Sequence, residues 1–127
     1  MKYLNIQDVM TLHQQMIEAM QGLKGVNPQQ IGLLESALQQ IQNNDYYPNF
    51  IDKLTHIVFA CVKFHPFLDG NKRTALLVAR TFIVMNYPKI LLENFYQNLE
   101  DVVVAVAEGK TTKEELREIL QNLLRTQ

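Results

Sequence analysis

Apolar residues recur along the chain at the three- and four-residue spacing that places them on one side of a helix. Five segments show this pattern, and the signals at their ends agree with it. Asn5 is a good N-cap for the first segment, and Pro28 suits the first turn of the second. The predicted buried faces, segment by segment, are Val9, Leu12, Met16 and Met20; Ile31, Leu34, Leu38 and Ile41; Leu54, Ile57, Val58, Cys61 and Val62; Val102, Val103 and Val106; and Leu116, Ile119, Leu120 and Leu123.

A sixth segment, from about Asn71 to Asn86, is apolar on nearly every side, which predicts a helix buried in the middle of a bundle. A helix over about Phe95–Ala107 follows it, and residues 112–115 form a capping-box sequence before the last helix. Residues 44–50, with two tyrosines and a proline, are expected to form a loop or a short extended flap. The patterns predict an all-α fold: a compact, single-domain helical bundle of about six helices over residues 1–127.

Composition places the chain among ordinary globular domains. Hydrophobic residues make up 47% and charged residues 20% of the 127 residues, and the formal net charge is -1. Nucleic-acid binding usually requires a basic surface, so no DNA binding by this chain is expected.

The chain shows no sign of a membrane or an oxidising compartment. The N-terminus has no apolar signal core, and the longest apolar stretch, residues 74–87, contains Arg80 and is too short to span a bilayer. The one cysteine, Cys61, lies in an apolar run, which predicts a buried, inert thiol. With no internal disulfide possible, we expect a cytoplasmic protein that does not associate with a membrane.

A polar stretch of nine residues, residues 65–73, interrupts the apolar pattern between the third helix and the central one. It supplies a base, a carboxylate, a glycine, an amide and two cations, in that order. The start of the following helix offers unpaired backbone N–H groups and the positive end of the helix dipole, which together favour anions. Lys72 and Arg73 in its first turn oppose that dipole, and a bound polyanion would offset this cost. The stretch therefore predicts a phosphate-binding site.

The other residues of this stretch suit a reaction at phosphate. Gly70 lets the backbone approach a ligand closely because it has no Cβ. A carboxylate such as Asp69 is compatible with neighbouring phosphates when Mg²⁺ lies between them. An imidazole such as that of His65 can accept the proton of an attacking hydroxyl group. Our interpretation is transfer of a phosphoryl or nucleotidyl group to a hydroxyl.

Each of these residues alone has a simpler, structural explanation. A histidine before a proline is usually only a helix-end residue, Asp-Gly-Asn is usually a turn, and a Lys-Arg pair is usually solvated. The prediction rests on their combination within nine residues between two core helices. His13 and His56 lack such neighbours in the sequence, so both are interpreted as structural or surface residues.

At this stretch the sequence resembles the Fic/Doc family, whose signature is His-x-Phe-x-(Asp/Glu)-(Gly/Ala)-Asn-(Gly/Lys)-Arg. Residues 65–73 match it at every fixed position. The resemblance implies that His65 is the general base, that Asp69 holds Mg²⁺ and that Phe67 anchors the loop in the core. It also implies that ATP is bound, with phosphate contacts from Gly70, Asn71, Lys72 and Arg73.

Two positions are similar to the Doc (death-on-curing) branch rather than to the adenylylating branch. The adenylylating branch has Gly where this chain has Lys72, and a second Arg where it has Leu76. A lysine side chain would crowd the turn that seats the α- and β-phosphates, and the leucine removes a phosphate contact. The Doc branch implies a toxin of a toxin–antitoxin pair that binds ATP in a reversed orientation. Such a toxin transfers the γ-phosphate to a threonine of translation elongation factor Tu and arrests translation.

The resemblance also concerns regulation and target choice. Some members carry an inhibitory helix with the pattern (Ser/Thr)-x-x-x-Glu-(Gly/Asn), but here Thr111 and Glu115 are followed by Leu116. An antitoxin protein in trans is therefore expected, adding a helix against an apolar groove. The flap at residues 44–50 is expected to select the acceptor protein.

Three alternatives stay open. The first is adenylyl (AMP) transfer to a protein hydroxyl. The second is a non-catalytic binding protein of the same fold, which the intact motif disfavours. The third is a helix-turn-helix DNA-binding protein, which the near-neutral charge disfavours.

Overall fold

The computed structural model describes residues 1–125, and six α-helices lie within them. They are α1 (Ile6–Met20), α2 (Ile31–Gln40), α3 (Phe50–Lys63), α4 (Asn71–Asn86), α5 (Phe95–Ala107) and α6 (Lys113–Arg125). Helix α3 packs against α2, α4, α5 and α6, and α4 packs against α1, α3 and α5. The all-α prediction is confirmed, and the polar stretch begins in the turn between the two central helices.

The two central helices bury wide apolar faces. Helix α3 has nine buried residues among its fourteen, and α4 buries seven among its sixteen. Burying one large apolar side chain contributes about 1.5–3 kcal/mol to folding, so the buried faces of α3 and α4 supply much of the stability of the core. Cys61 is buried as predicted, and its burial raises the pKa of the thiol to about 12. No helix within residues 1–125 is long and apolar enough to cross a bilayer.

The predicted start signals of α1 and α6 are confirmed as capping boxes. Asn5 Oδ1 accepts from the Asp8 N–H at 2.9 Å, and Asp8 Oδ2 accepts from the Asn5 N–H at 2.9 Å. At α6, the Thr112 N–H donates to Glu115 Oε1 at 2.9 Å, and the Glu115 N–H donates to Thr112 Oγ1 at 3.1 Å. The hydrogen bond from the Thr112 backbone lowers the pKa of Glu115. Both caps satisfy N–H groups that a helix start leaves without partners.

Two helices differ from the prediction in detail. The buried face of α1 contains Val9, His13 and Ile17, whereas Met20, expected on that face, is 42% exposed. The helix is turned so that the imidazole faces inward, because its ring finds a stacking partner there. Helix α2 begins three residues after Pro28, since the Asn27 carbonyl accepts from the Gln30 and Ile31 N–H groups and closes a separate turn first.

Of the two expectations for residues 44–50, the loop is confirmed and the short extended flap is not. This segment forms turns at the N-terminal end of α3, where the Tyr47 ring packs against His56 with centroids 4.6 Å apart. Fourteen helical residues span about 21 Å, so the segment lies a helix length away from His65 at the other end of α3. Within the described chain, the isolated extended pairing joins Val26 and Phe67 instead.

A polar cluster outside the motif ties α6 to α3. His56 Nδ1 accepts from Lys113 Nζ at 2.8 Å, and His56 Nε2 donates to Gln40 Oε1 at 2.9 Å. Partial burial, together with the positive charge of Lys113, lowers the pKa of His56 from 6.5 to about 4. The imidazole is therefore neutral in the folded protein at neutral pH and accepts a hydrogen bond from the ammonium group.

We expect this cluster to make the stability of the protein fall in mild acid. Between pH 6.5 and about 4 the unfolded chain takes up a proton that folded His56 does not, so the contribution is complete above pH 6.5 and disappears as the pH falls through 4. Because the side chain is only half-buried, we expect about 1 kcal/mol. Urea unfolding at pH 7 and pH 4.5 measures this, and His56→Gln should show a smaller difference between the two pH values. An equal difference in both proteins would contradict the assignment.

Candidate active site

The loop between α3 and α4, residues 65–70, is called the motif loop below. It begins at His65, whose side chain is exposed. The backbone of His65 has φ 47°, in the left-handed region that residues with a Cβ rarely adopt. Phe64, just before it, ends α3 by donating its N–H to the Ala60 carbonyl at 3.0 Å. The imidazole is thus presented to solvent from a sharp turn at the end of a buried helix.

Phe67 anchors the motif loop in the core, as expected. Its side chain is 1% exposed, and its ring stacks on that of His13 with centroids 3.8 Å apart and 8° between the planes. Asn71 secures the same residue: Oδ1 accepts from the Phe67 N–H and Nδ2 donates to the Phe67 carbonyl, each at 2.9 Å. The Asn71 side chain therefore braces the loop, and its predicted phosphate contact stays a prediction.

The Asp69 carboxylate points back toward the end of α1. Oδ2 accepts from the Leu23 N–H at 3.0 Å, and the Asp69 carbonyl accepts from His13 Nε2 at 2.9 Å. A Cβ at Gly22 would lie 2.8 Å from Oδ2, so a glycine is required for this close approach.

The chemistry of Asp69 fits a Mg²⁺ ion shared with a nucleotide. One carboxylate oxygen is held by the backbone, which leaves Oδ1 for a cation. Residues 1–125 contain no cluster of three metal-binding side chains. Mg²⁺ is commonly held by one or two carboxylates plus substrate phosphates, so one acidic residue beside a phosphate site suffices.

Residues 22–27, after α1, pair with the motif loop. The Leu68 N–H donates to the Gly25 carbonyl at 3.0 Å, and the Asn27 N–H donates to the Pro66 carbonyl at 2.8 Å. This is the extended structure near the site, and the sequence patterns did not predict it. Two glycines close together, Gly22 and Gly25, followed by Asn27, could have indicated this pairing, because glycines permit close backbone contact.

The first turn of α4 has the features of an anion site. Gly70 is the N-cap with φ 76°, and among the described residues no side chain caps this helix start. Lys72 and Arg73 follow in the first turn, which contains no acidic residue. Neither cation forms an ion pair within residues 1–125. Free N–H groups, the helix dipole and two uncompensated cations all favour a bound anion.

A groove of about 410 Å³ lies beside these cations, between α1, α4 and α5. Lys72, Arg73 and Glu100 are its charged lining residues, and Leu76, 7% exposed, forms part of its apolar wall. His65 and Asp69 do not line this groove, although both belong to the loop that leads into α4. The structure therefore joins the two cations to an apolar groove and places the base and the acid on the anchored loop.

The pattern that resembled an inhibitory helix has a different role. The Thr111 N–H donates to the Ala105 carbonyl at 3.2 Å and closes the turn after α5. The carboxylate of Glu115 caps α6 through Thr112. The next residue, Lys113, donates from Nζ to His56 Nδ1 on α3.

Gly70→Ala should destabilise the protein by about 1–2 kcal/mol, the cost of a left-handed residue with a Cβ. Its φ of 76° remains, and the new Cβ would lie 2.8 Å from Met16 Cε. Denaturant unfolding measures the loss, and Met16→Ala combined with Gly70→Ala separates the steric part from the backbone part. Gly32→Ala is the matched control, since a Cβ there meets nothing within 4 Å in helix α2 and should be neutral or stabilising. Equal stability of both single variants would contradict the strain at residue 70.

Comparisons with known proteins give a family match and a similar toxin. Residues 3–83, which include α1 to α3, the motif loop and most of α4, match the profile of the Fic/DOC family. The chain is also 32% identical over 80 residues to Toxin Doc of Mycolicibacterium smegmatis (strain ATCC 700084 / mc(2)155). That alignment covers 60% of this chain and spans 62% of the length of the relative.

Proposed function

The chain belongs to the Fic/DOC family, and on this premise we propose that it is a Doc-like toxin, a kinase that transfers the γ-phosphoryl group of ATP to a hydroxyl side chain of a target protein. The observation that carries the proposal is the exposed His65 on an anchored loop that leads directly into an uncapped helix start bearing Lys72 and Arg73. This arrangement supplies a proton acceptor and a phosphate site on one short segment.

The reaction needs little more than positioning and charge neutralisation. The oxygen of the target hydroxyl forms a bond to the γ-phosphorus while the bond from that phosphorus to the bridging oxygen of ADP breaks. His65 accepts the hydroxyl proton. Lys72, Arg73 and the first N–H groups of α4 hold the phosphates and balance the charge that develops on them. Asp69 would hold Mg²⁺, which would supply further charge neutralisation at the phosphates.

The groove wall supports phosphoryl transfer over AMP transfer. The position of the second arginine of the adenylylating branch is held by Leu76, which is buried in the apolar wall. An α- or β-phosphate seated deeper in the site would meet this wall rather than a cation. Lys72, in the first turn of α4 and at the groove, suits a terminal phosphate. AMP transfer is the second candidate, because the motif itself is common to both reactions.

The proposed kinase activity also implies a target and an antitoxin. Translation elongation factor Tu is the proposed target, and arrest of translation in the cytoplasm is the proposed outcome. An antitoxin in trans is proposed to lay an amphipathic helix in the groove between α1, α4 and α5. Its apolar residues would cover Leu76 and Val103, and an acidic residue would reach Lys72.

The position of the label in ATP decides the reaction. The protein is incubated with cell extract and ATP labelled either at the γ- or at the α-phosphate, with His65→Ala as the control. Label carried to protein from the γ-position alone is expected. Transfer from the α-position alone would replace the kinase proposal with AMP transfer, and no transfer from either would favour a binding protein. Mass spectrometry of the labelled protein then identifies the target and the modified residue.

A further inference from the structure

The backbone of His65 is held in a conformation that its own helix end does not stabilise. A residue with a Cβ at φ 47° costs about 1–2 kcal/mol relative to ordinary conformations. In the Schellman motif, the residue after the left-handed one donates its N–H back to a carbonyl of the helix. Here that residue is Pro66, which has no N–H, so this hydrogen bond is lost. Contacts from another part of the protein take its place.

Asn27 supplies that hold from across the fold. Its Nδ2 group donates to the His65 carbonyl at 2.6 Å and to the Phe67 carbonyl at 3.1 Å. Its backbone N–H donates to the Pro66 carbonyl, between these two, at 2.8 Å. One residue thus satisfies three consecutive carbonyls of the motif loop.

Asn27 is itself firmly placed. Its carbonyl accepts from the Gln30 N–H at 3.1 Å and from the Ile31 N–H at 3.0 Å, which ties it to the turn that opens α2. The side chain is therefore presented from a fixed point of the fold. A movement of this point would be passed to the turn at His65 through the two amide hydrogen bonds.

We propose that Asn27 is a positioning residue for His65: it holds the turn that directs the imidazole toward the target hydroxyl. The proposal rests on the proposed function, in which His65 is the base. Asn27 has no hydrogen bond to Lys72, Arg73 or Asp69 within residues 1–125, so nucleotide binding does not depend on it directly. A purely structural residue would change stability or affect both kinetic constants together.

The test compares Asn27→Asp with the wild-type protein. Aspartate has the same shape but no side-chain donor, and its charge opposes the three carbonyls. We expect kcat for phosphoryl transfer to fall about 100-fold, the effect of a misplaced catalytic group, with KM for ATP changed less than twofold. Asn122→Asp, at an exposed position of α6, is the matched control and should retain wild-type kcat. An unchanged kcat in Asn27→Asp, or an equal loss in kcat and in ATP affinity, would overturn the proposal.

A second measurement does not depend on activity. Backbone NMR of the nucleotide-free protein reports φ of His65 through its three-bond HN–Hα coupling and its ¹³C shifts. We expect His65 to leave the left-handed region in Asn27→Asp, and an unchanged φ would overturn the proposal. If the wild-type protein transfers no label, the proposed function fails, and this comparison still decides whether Asn27 holds the turn.

If Asn27→Asp does not fold, hydrogen exchange in the wild-type protein tests the proposal instead. Both Nδ2 protons of Asn27 are donated to carbonyls of the motif loop. They should therefore exchange with solvent at least tenfold more slowly than the side-chain amide protons of Asn122. Equal exchange rates would show that the amide does not hold the loop, and the proposal would be wrong.

Discussion

His65→Ala should lower the rate of phosphoryl transfer by about 10²- to 10⁴-fold, the usual contribution of a positioned base, and should abolish growth arrest on induction. The fold should survive, because the imidazole is exposed and takes no part in the core. The contacts of the turn, from Asn27 to the His65 carbonyl, involve only the backbone of residue 65 and remain in the variant.

The measurement pairs initial rates with γ-labelled ATP and growth curves after induction, with thermal unfolding as the check on folding. His56→Gln is the control: it removes a histidine from the same helix region, but the imidazole of His56 contacts Gln40 and Lys113 rather than the motif loop. Full transfer and full growth arrest in His65→Ala would mean that no base at this position is needed. A different outcome, growth arrest that persists in His65→Ala without any label transfer, would support the binding-protein alternative.

Local signals in the sequence predicted most of the helical framework. The predicted bounds of α4 and α5 agree with the structure, and the capping boxes at Asn5 and Thr112 lie where their sequences placed them. These signals succeed because a cap, a helix period or a terminating proline acts over four or five residues. The buried face of α1 was predicted less well, since the orientation of a helix depends on its partners. His13 turned inward because Phe67, 54 positions later, provides a stacking surface.

The candidate site was predictable only as far as it is contiguous. Residues 65–73 follow one another in the chain, so their combined chemistry is visible in the sequence. The residues that brace them come from elsewhere: Asn27 lies 38 positions before His65, and Leu23 lies 46 positions before Asp69. No periodicity links such positions, and each had a sufficient local explanation as a helix start or helix end. The pairing of residues 22–27 with the motif loop was missed for the same reason, because only the fold shows which segments meet.

Substitutions at Asp69 separate its predicted role in binding Mg²⁺ from its observed role in holding the loop. Asp69→Asn keeps a side-chain oxygen that can accept from the Leu23 N–H but removes the negative charge. Asp69→Ala removes both. We expect both variants to lose about 10²- to 10³-fold in transfer rate, which corresponds to several kcal/mol of lost charge stabilisation. Only the alanine variant should also lose about 1 kcal/mol of unfolding free energy, the worth of the missing hydrogen bond.

Rates measured across a Mg²⁺ titration at fixed ATP, together with denaturant unfolding of each variant, distinguish the two roles. Asp45→Asn makes the same change in the turn at the far end of α3 and should leave both the rate and its Mg²⁺ dependence at wild-type values. If Asp69→Asn kept the wild-type rate and the wild-type Mg²⁺ requirement, the carboxylate would serve the loop alone. The hydrogen bond from Leu23 would then be the full explanation for an acidic residue at this position, and the cation would have to be held by the phosphates and water without it.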